Sequence, residues 1–202
     1  MSPYSAPSSK ATGDLISAAD WNTNTITNVG YLKGRMDYGY LWLVSGKNAT
    51  TNGASINNSI ETTSDKVNLS VIDFDASTIE YASWQVVLPP DYNSGTLTYK
   101  VYYTNAACTD DDVIFTLQGV AFANSDDMDL AFGAGVNVTF APASYTANIL
   151  HVTGESGAVT LAGTAAPGNL AVLRLSRKAS DVGDLLNVDA RVIGILVKYG
   201  RA

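Results

Sequence analysis

From residue 67 to the C-terminus the chain alternates apolar and polar residues in short runs, the period of two that sends successive side chains to opposite faces of a β-strand. Strands are expected near residues 67–73, 78–88, 96–104, 112–123, 136–140, 145–153, 157–163, 169–177 and 190–199. The cleanest is 96–104, where Leu97, Tyr99, Val101 and Tyr103 make the core face and Thr96, Thr98 and Lys100 the other. Val113, Phe115 and Leu117 repeat the pattern, as do Leu170 and Val172. In the last run Val192 and Leu196 oppose Ile193, Ile195 and Val197. That strand is apolar on both faces and is expected inside a sheet, away from a free edge. Turn residues cut the runs at Pro89-Pro90-Asp91, Thr109-Asp110-Asp111-Asp112, Gly154-Glu155-Ser156-Gly157 and Ala166-Pro167-Gly168-Asn169. Eight or nine strands at this spacing predict an all-β fold, a jelly-roll β-sandwich. Met128, Leu130, Ala131 and Phe132 have helical spacing, which predicts a short helix or turn over 125–133 across one end of the sandwich.

The N-terminal third reads differently. The first fourteen residues are rich in Ser, Pro and Ala and predict a flexible tail that orders only against a partner. Ser17 to Asp20 is similar to a capping box, and Leu15, Trp21, Ile26, Val29 and Leu32 follow at spacings of three to five, predicting a helix over 18–33 despite the poor helix formers Thr23, Thr25 and Thr27. Its apolar stripe is too short to be a core and must be buried on its own β domain or on a neighbouring subunit. Residues 38–44 set Tyr38, Tyr40, Trp42 and Val44 against Gly39, Leu41 and Leu43, a strand apolar on both faces. Residues 45–66 carry Asn48, Asn52, Asn57 and Asn58 without a hydrophobic period and read as a loop or linker. The organisation expected is an attachment arm and helix (1–37), a strand with a polar linker (38–66) and the sandwich (67–202). Leu15, Trp21, Ile26, Val29, Leu32, Tyr38, Tyr40 and Trp42 are the candidate attachment residues.

Composition narrows the chemistry. A chain of 202 residues, 46% hydrophobic, fits one domain with an extension. With 19 acidic and 12 basic residues the net charge is −7, and no Lys/Arg cluster offers a track for nucleic-acid phosphates. No apolar run approaches the roughly 20 residues that cross a bilayer, and the opening lacks a signal-peptide pattern, so a soluble protein made in the cytoplasm is expected. The single Cys108 forms no internal disulfide. It is far in sequence from His151, the single histidine, which has no second His or Cys nearby to complete a zinc site and is expected to be packed or at the surface. Asp110, Asp111 and Asp112, like Asp126, Asp127 and Asp129, lack the spacing of a calcium loop and read as solvated turns. Asp75, Glu80 and Glu155 are the acids that could converge in a glycosidase-type groove. Arg177, Asp184, Asp189 and Arg191 are expected to form structural salt bridges, Asp184 or Asp189 pairing with Arg177 or Arg191 to pin the last loop. Neither a cofactor, a metal nor catalysis is expected.

Several motifs in order carry a family resemblance over residues 67–202. They are Phe74-Asp75 with Ala76-Ser77-Thr78, Trp84, Leu88-Pro89 before Asp91-Tyr92, and Asp129-Leu130-Ala131-Phe132-Gly133. Arg174 to Arg177, Asp184-Leu185-Leu186 and Asp189 through Gly194 to Tyr199 complete the series. This order resembles jelly-roll domains of tailed-bacteriophage virion proteins. Upstream, Ala18-Ala19-Asp20-Trp21-Asn22 with Asn28 and Tyr31-Leu32 is similar to the short helical segment before such domains. The resemblance implies a non-enzymatic virion component, a homotrimer on the capsid surface, synthesised in the host cytoplasm, with its own copies and a major capsid or other virion protein as partners. The lack of a long shaft favours a capsid decoration (cement) protein bridging capsid subunits. The competing expectation is a tail- or fibre-associated receptor- or carbohydrate-binding module, in which Tyr92, Tyr102 and Tyr145 stack on sugar faces.

Overall fold

A computed structural model describes residues 18–22, 36–108, 112–141 and 146–202. One helical turn, α1 (Ala18–Trp21), precedes twelve strands: β1 (Tyr38–Leu43), β2 (Lys47–Asn48), β3 (Ser55–Glu61), β4 (Asn68–Phe74), β5 (Tyr81–Val87), β6 (Tyr92–Thr104), β7 (Val113–Phe122), β8 (Val136–Phe140), β9 (His151–Val152), β10 (Ala162–Gly163), β11 (Leu170–Arg177) and β12 (Ala190–Arg201). They form two sheets. The first has the order β3-β4-β12-β6-β9 with β1 also on β12, and the second β10-β7-β11-β5-β2 with β8 also on β7. Pairing is antiparallel throughout except for the short β10–β7 contact. The all-β sandwich expected from the alternating runs is the observed fold.

The two inner faces meet over Leu97, Tyr99, Val101 and Tyr103 of β6, Phe115 and Leu117 of β7, Leu173 and Leu175 of β11, and Val192, Ile195 and Val197 of β12. These side chains are buried because both sheets turn the same parity inward. The Tyr99 hydroxyl lies 3.0 and 2.8 Å from the carbonyl oxygens of Phe115 and Val136, so the buried phenol is satisfied across the core. β12 lies between β6 and the β4/β1 pair, the interior position its two-faced apolar pattern requires.

Three expectations are corrected. Residues 45–66 are no linker: they hold β2 and β3, and β3 pairs with β4 from Ser55 to Glu61. β3 is an edge strand, and among its described side chains Ile56, Asn58 and Ile60 are half-buried while Ser55, Ser59 and Glu61 are exposed, so burial leaves little apolar pattern in its sequence. The runs at 145–153 and 157–163 contribute just β9 and β10. Asn148, at φ 61°, breaks the first, and in the second Val159 bridges Leu97 of one sheet before Ala162 reaches Val120 of the other. Within 125–133, of the helix or turn expected, the structure has a turn followed by extended chain, the Asp126 carboxylate accepting from the Ala123 N–H at 2.8 Å. Finally, Val192 and Leu196 do not share a face. A bulge at Ile193, where Val192 opposes Tyr103 and Gly194 opposes Tyr102, shifts the alternation so that Val192, Ile195 and Val197 all point inward. Of the expected helix 18–33, α1 is four residues long; residues 23–33 lie outside the described residues.

Candidate functional site

That bulge sits where one edge of β12 is divided between two partners. β4 takes Ala190, Arg191 and Val192, and β1 takes Ile195 through Gly200. At the fork between them the outer face of the first sheet opens into a groove of about 450 Å³. Ile193, the inserted residue, points outward into it beside Tyr102 and Thr104 of β6. Trp42 of β1 closes one side, the cross-strand pair Ile60 and Leu69 the other, and Leu150 and Asn148 the end near β9.

Trp42 is held in a fixed pose. Its indole meets Tyr102 edge to face, with ring centroids 5.0 Å apart, and lies directly over Gly194. A Cβ at position 194 would be 2.7 Å from two indole carbons and 2.8 Å from the Leu43 carbonyl oxygen. Glycine is therefore what lets the ring lie flat on the sheet, while 47% of Trp42 remains exposed. Gly194→Ala is expected to lift the indole and strain β1, lowering stability by about 1–3 kcal/mol; thermal unfolding monitored by tryptophan fluorescence measures it.

Polar atoms are few. Thr104 is 3% exposed, lines the groove, and its hydroxyl oxygen has no hydrogen-bond partner among the described residues. Thr62 and Asn148 add the remaining polar lining. The groove is thus an aromatic and aliphatic trough with one sealed hydroxyl in it.

The expected site residues fall in three places. Tyr38, Tyr40 and Trp42 project from the outer face of β1 and are about half exposed, and Trp21 is exposed on α1; Leu15, Ile26, Val29 and Leu32 lie outside the described residues. Of the tyrosines expected to stack on sugars, Tyr102 lines the groove, Tyr92 is buried in the core at 1% exposure and can stack on nothing external, and Tyr145 lies outside the described residues. Arg177 and Asp184 pair at 2.7 Å with both side chains fully buried, whereas Asp189 and Arg191 form no ion pair among the described residues.

The remaining candidates have structural partners. The Asp75 carboxylate accepts from Ser77 and Thr78, Glu80 accepts from the Asp75 N–H, and Glu155 accepts from Thr98 and Lys198. Local hydrogen bonds from Ser77 hold the Asp75 carboxyl below its usual range. Cys108 receives a hydrogen bond from the Asn105 amide at 3.2 Å. No group of three metal-ligating side chains occurs among the described residues.

His151 is 5% exposed and packs against Tyr103 and Phe140, with ring centroids 5.1 and 6.1 Å away. Burial pushes its pKa below the ordinary 6.5. The unfolded chain then binds a proton here at pH values where the folded chain does not. Its contribution to stability is complete above the ordinary value and declines as the pH falls below it. Urea midpoints of the wild type are expected to drop between about pH 7 and 5 more steeply than those of His151→Phe.

No family model matches the chain, and no curated protein sequence matches it. Among solved structures the sandwich is similar to CBM35 from Cellvibrio japonicus Abf62, at 11% identity and a TM-score of 0.43, covering 81% of this chain and 99% of that one. It is similar to CBM29_1, a family 29 carbohydrate-binding module from Piromyces equi, at 14% identity and a TM-score of 0.36, covering 81% and 91%. A third is the Arthrobacter globiformis T6 isomalto-dextranase complexed with panose, at 18% identity and a TM-score of 0.46, where 80% of this chain spans 23% of the enzyme. At these identities and scores the likeness says nothing about a site.

Proposed function

We propose that this protein is a non-catalytic carbohydrate-binding module whose groove at the β4/β1 fork takes one face of a sugar ring. The observation that carries the reading is Trp42, half exposed and fixed between Tyr102 and Gly194 at the side of a concave apolar trough. A pyranose has a C–H face that packs on an aromatic ring and a rim of hydroxyls that must keep hydrogen bonds. Trp42 meets the first need, and Thr62 and Asn148 meet the second. A rigid aromatic with two side-chain torsions also loses little entropy on binding.

A glycan array followed by calorimetry on the best neutral oligosaccharide tests this. Asn148→Gly tolerates the left-handed backbone at φ 61° and removes an exposed amide from the groove, so affinity is expected to fall about tenfold. Absence of binding to any glycan at millimolar concentration overturns the reading.

A second reading is a virion structural role such as capsid decoration. One observation favours it: Tyr38, Tyr40, Trp42 and Val44, all close to half exposed, form an apolar strip along the outer face of β1 that continues from the groove. Strips of this kind mark surfaces that other proteins cover. Under this reading the full chain sediments as a trimer and attaches to particles, while a chain beginning at residue 35 stays folded and does not attach. Equal attachment by the shortened chain removes the arm from the mechanism.

A further inference from the structure

The outer face of the second sheet is built differently. In register across four strands, Asn137 of β8 opposes Thr116 of β7, Thr116 opposes Ser176 of β11, and Ser176 opposes Tyr81 of β5. The next polar rung sets Gln118 against Arg174 and Arg174 against Ser83. A broad groove of about 620 Å³ runs over this surface, with Tyr81, Thr116, Gln118, Asn137, Ser176 and Lys178 in its lining and Arg174 beside it, in contact with Tyr81 and Gln118.

The two cations here have no carboxylate partner among the described residues. Arg174 is sandwiched between Phe132 and Tyr81, its guanidinium carbon 4.0 and 4.8 Å from the ring centroids, and donates to the Gln118 side-chain oxygen at 2.9 Å. That oxygen is neutral, and the Arg174 Nε is sealed from solvent with no hydrogen-bond partner among the described residues. Neither Arg174 nor Lys178 belongs to an ion pair among the described residues, in a chain of net charge −7. Ordinary folding would leave such cations beside carboxylates. Here they flank a row of hydroxyls and amides instead. Lys178 directly follows β11, four residues beyond Arg174, so their α-carbons stand about 13 Å apart at roughly 3.3 Å per residue.

We propose that this face is a second binding site, for an anionic, hydroxyl-rich oligosaccharide. Arg174 and Lys178 pair with acidic groups on separate sugar units, and Thr116, Asn137 and Ser176 take the hydroxyls between them. Charge-assisted hydrogen bonds to a carboxylate are about twice as strong as neutral ones, and a stacked guanidinium loses little entropy in making them. The site shares no residue with the groove at Trp42, so each stands or falls independently.

Calorimetry with an oligogalacturonate tests it on the full chain. Lys178→Gln and Arg174→Gln are each expected to weaken binding about tenfold, with Trp42→Ala unchanged. Lys178 supports no other part of the fold, so its variant reads the site even if Arg174→Gln loosens Phe132 and Tyr81. Equal losses with a sulfated oligosaccharide support the site and define its ligand by charge. The proposal is overturned if oligogalacturonate fails to bind at millimolar concentration, if it binds the wild type and Lys178→Gln equally, or if Trp42→Ala abolishes its binding. Tighter binding of a single-stranded oligonucleotide at the same residues overturns the ligand class.

Discussion

Asp184→Ala is expected to lower the thermal unfolding midpoint by about 10 °C, the largest effect of any single change outside the apolar core. Arg177 and Asp184 are both fully buried and paired at 2.7 Å. The arginine also donates to the carbonyl oxygens of Val188 at 2.8 Å and Leu186, while the other carboxylate oxygen accepts from the Ile114 N–H at 3.0 Å. One ion pair thus joins the end of β11, the loop before β12 and the first turn of β7. Removing the carboxylate strands a guanidinium in the core and leaves the Ile114 N–H without its acceptor, a loss of about 3–5 kcal/mol. Replacing both residues with apolar ones recovers only part of this, because the two carbonyls then lose their donor. A midpoint shift of less than about 3 °C for Asp184→Ala means the pair is not holding the loop.

The sequence showed this pair but not the groove, and the difference is physical. Arg177 and Asp184 are charges of opposite sign within one connection between strands, so proximity along the chain implied proximity in space. The central strands were legible for a similar reason: β6 and β12 are long, and burial leaves a strong period or a two-faced apolar run. β3 was invisible because an edge strand obeys neither rule, and Ser55 to Glu61 has the composition of a loop. The groove depends on a one-residue bulge, and parity reasoning assumes there is none. It put Val192 with Leu196 and Ile193 with Ile195 and Val197, whereas Ile193 points into the groove and Val192 joins Ile195 and Val197 in the core. The isolated Gly194 inside an apolar strand was the available signal, since glycine there marks a bulge or a close approach. Trp42 was picked out only as part of a strand apolar on both faces. Ile60, Leu69 and Thr104, its neighbours in the site, come from strands whose positions only the fold reveals. Tyr92 was misplaced because its Pro-Pro-Asp-Tyr-Asn context reads as a turn, while in the structure β6 begins at Tyr92 and buries it.

Trp42→Ala is expected to reduce affinity for a neutral oligosaccharide by about 30-fold or more, the scale of a buried aromatic hot spot. The argument rests on what truncation removes and what it spares. It removes the flat surface on which a sugar C–H face would pack, together with one side of the trough. It spares the backbone pairing of Trp42 with Leu196, which does not depend on the side chain. Because the ring is half exposed, the stability cost is confined to its edge-to-face contact with Tyr102, about 1 kcal/mol. Affinity and stability should therefore separate, the first collapsing while the unfolding midpoint moves by a few degrees. Fluorescence offers an internal check: Trp84 is buried and donates to the Val44 carbonyl at 3.1 Å, so a ligand that shifts the emission of the wild type should leave that of Trp42→Ala unchanged. If the variant binds neutral sugars as the wild type does but no longer associates with other copies or with particles, the exposed face of β1 serves protein contact, and the groove belongs to assembly instead of sugar recognition.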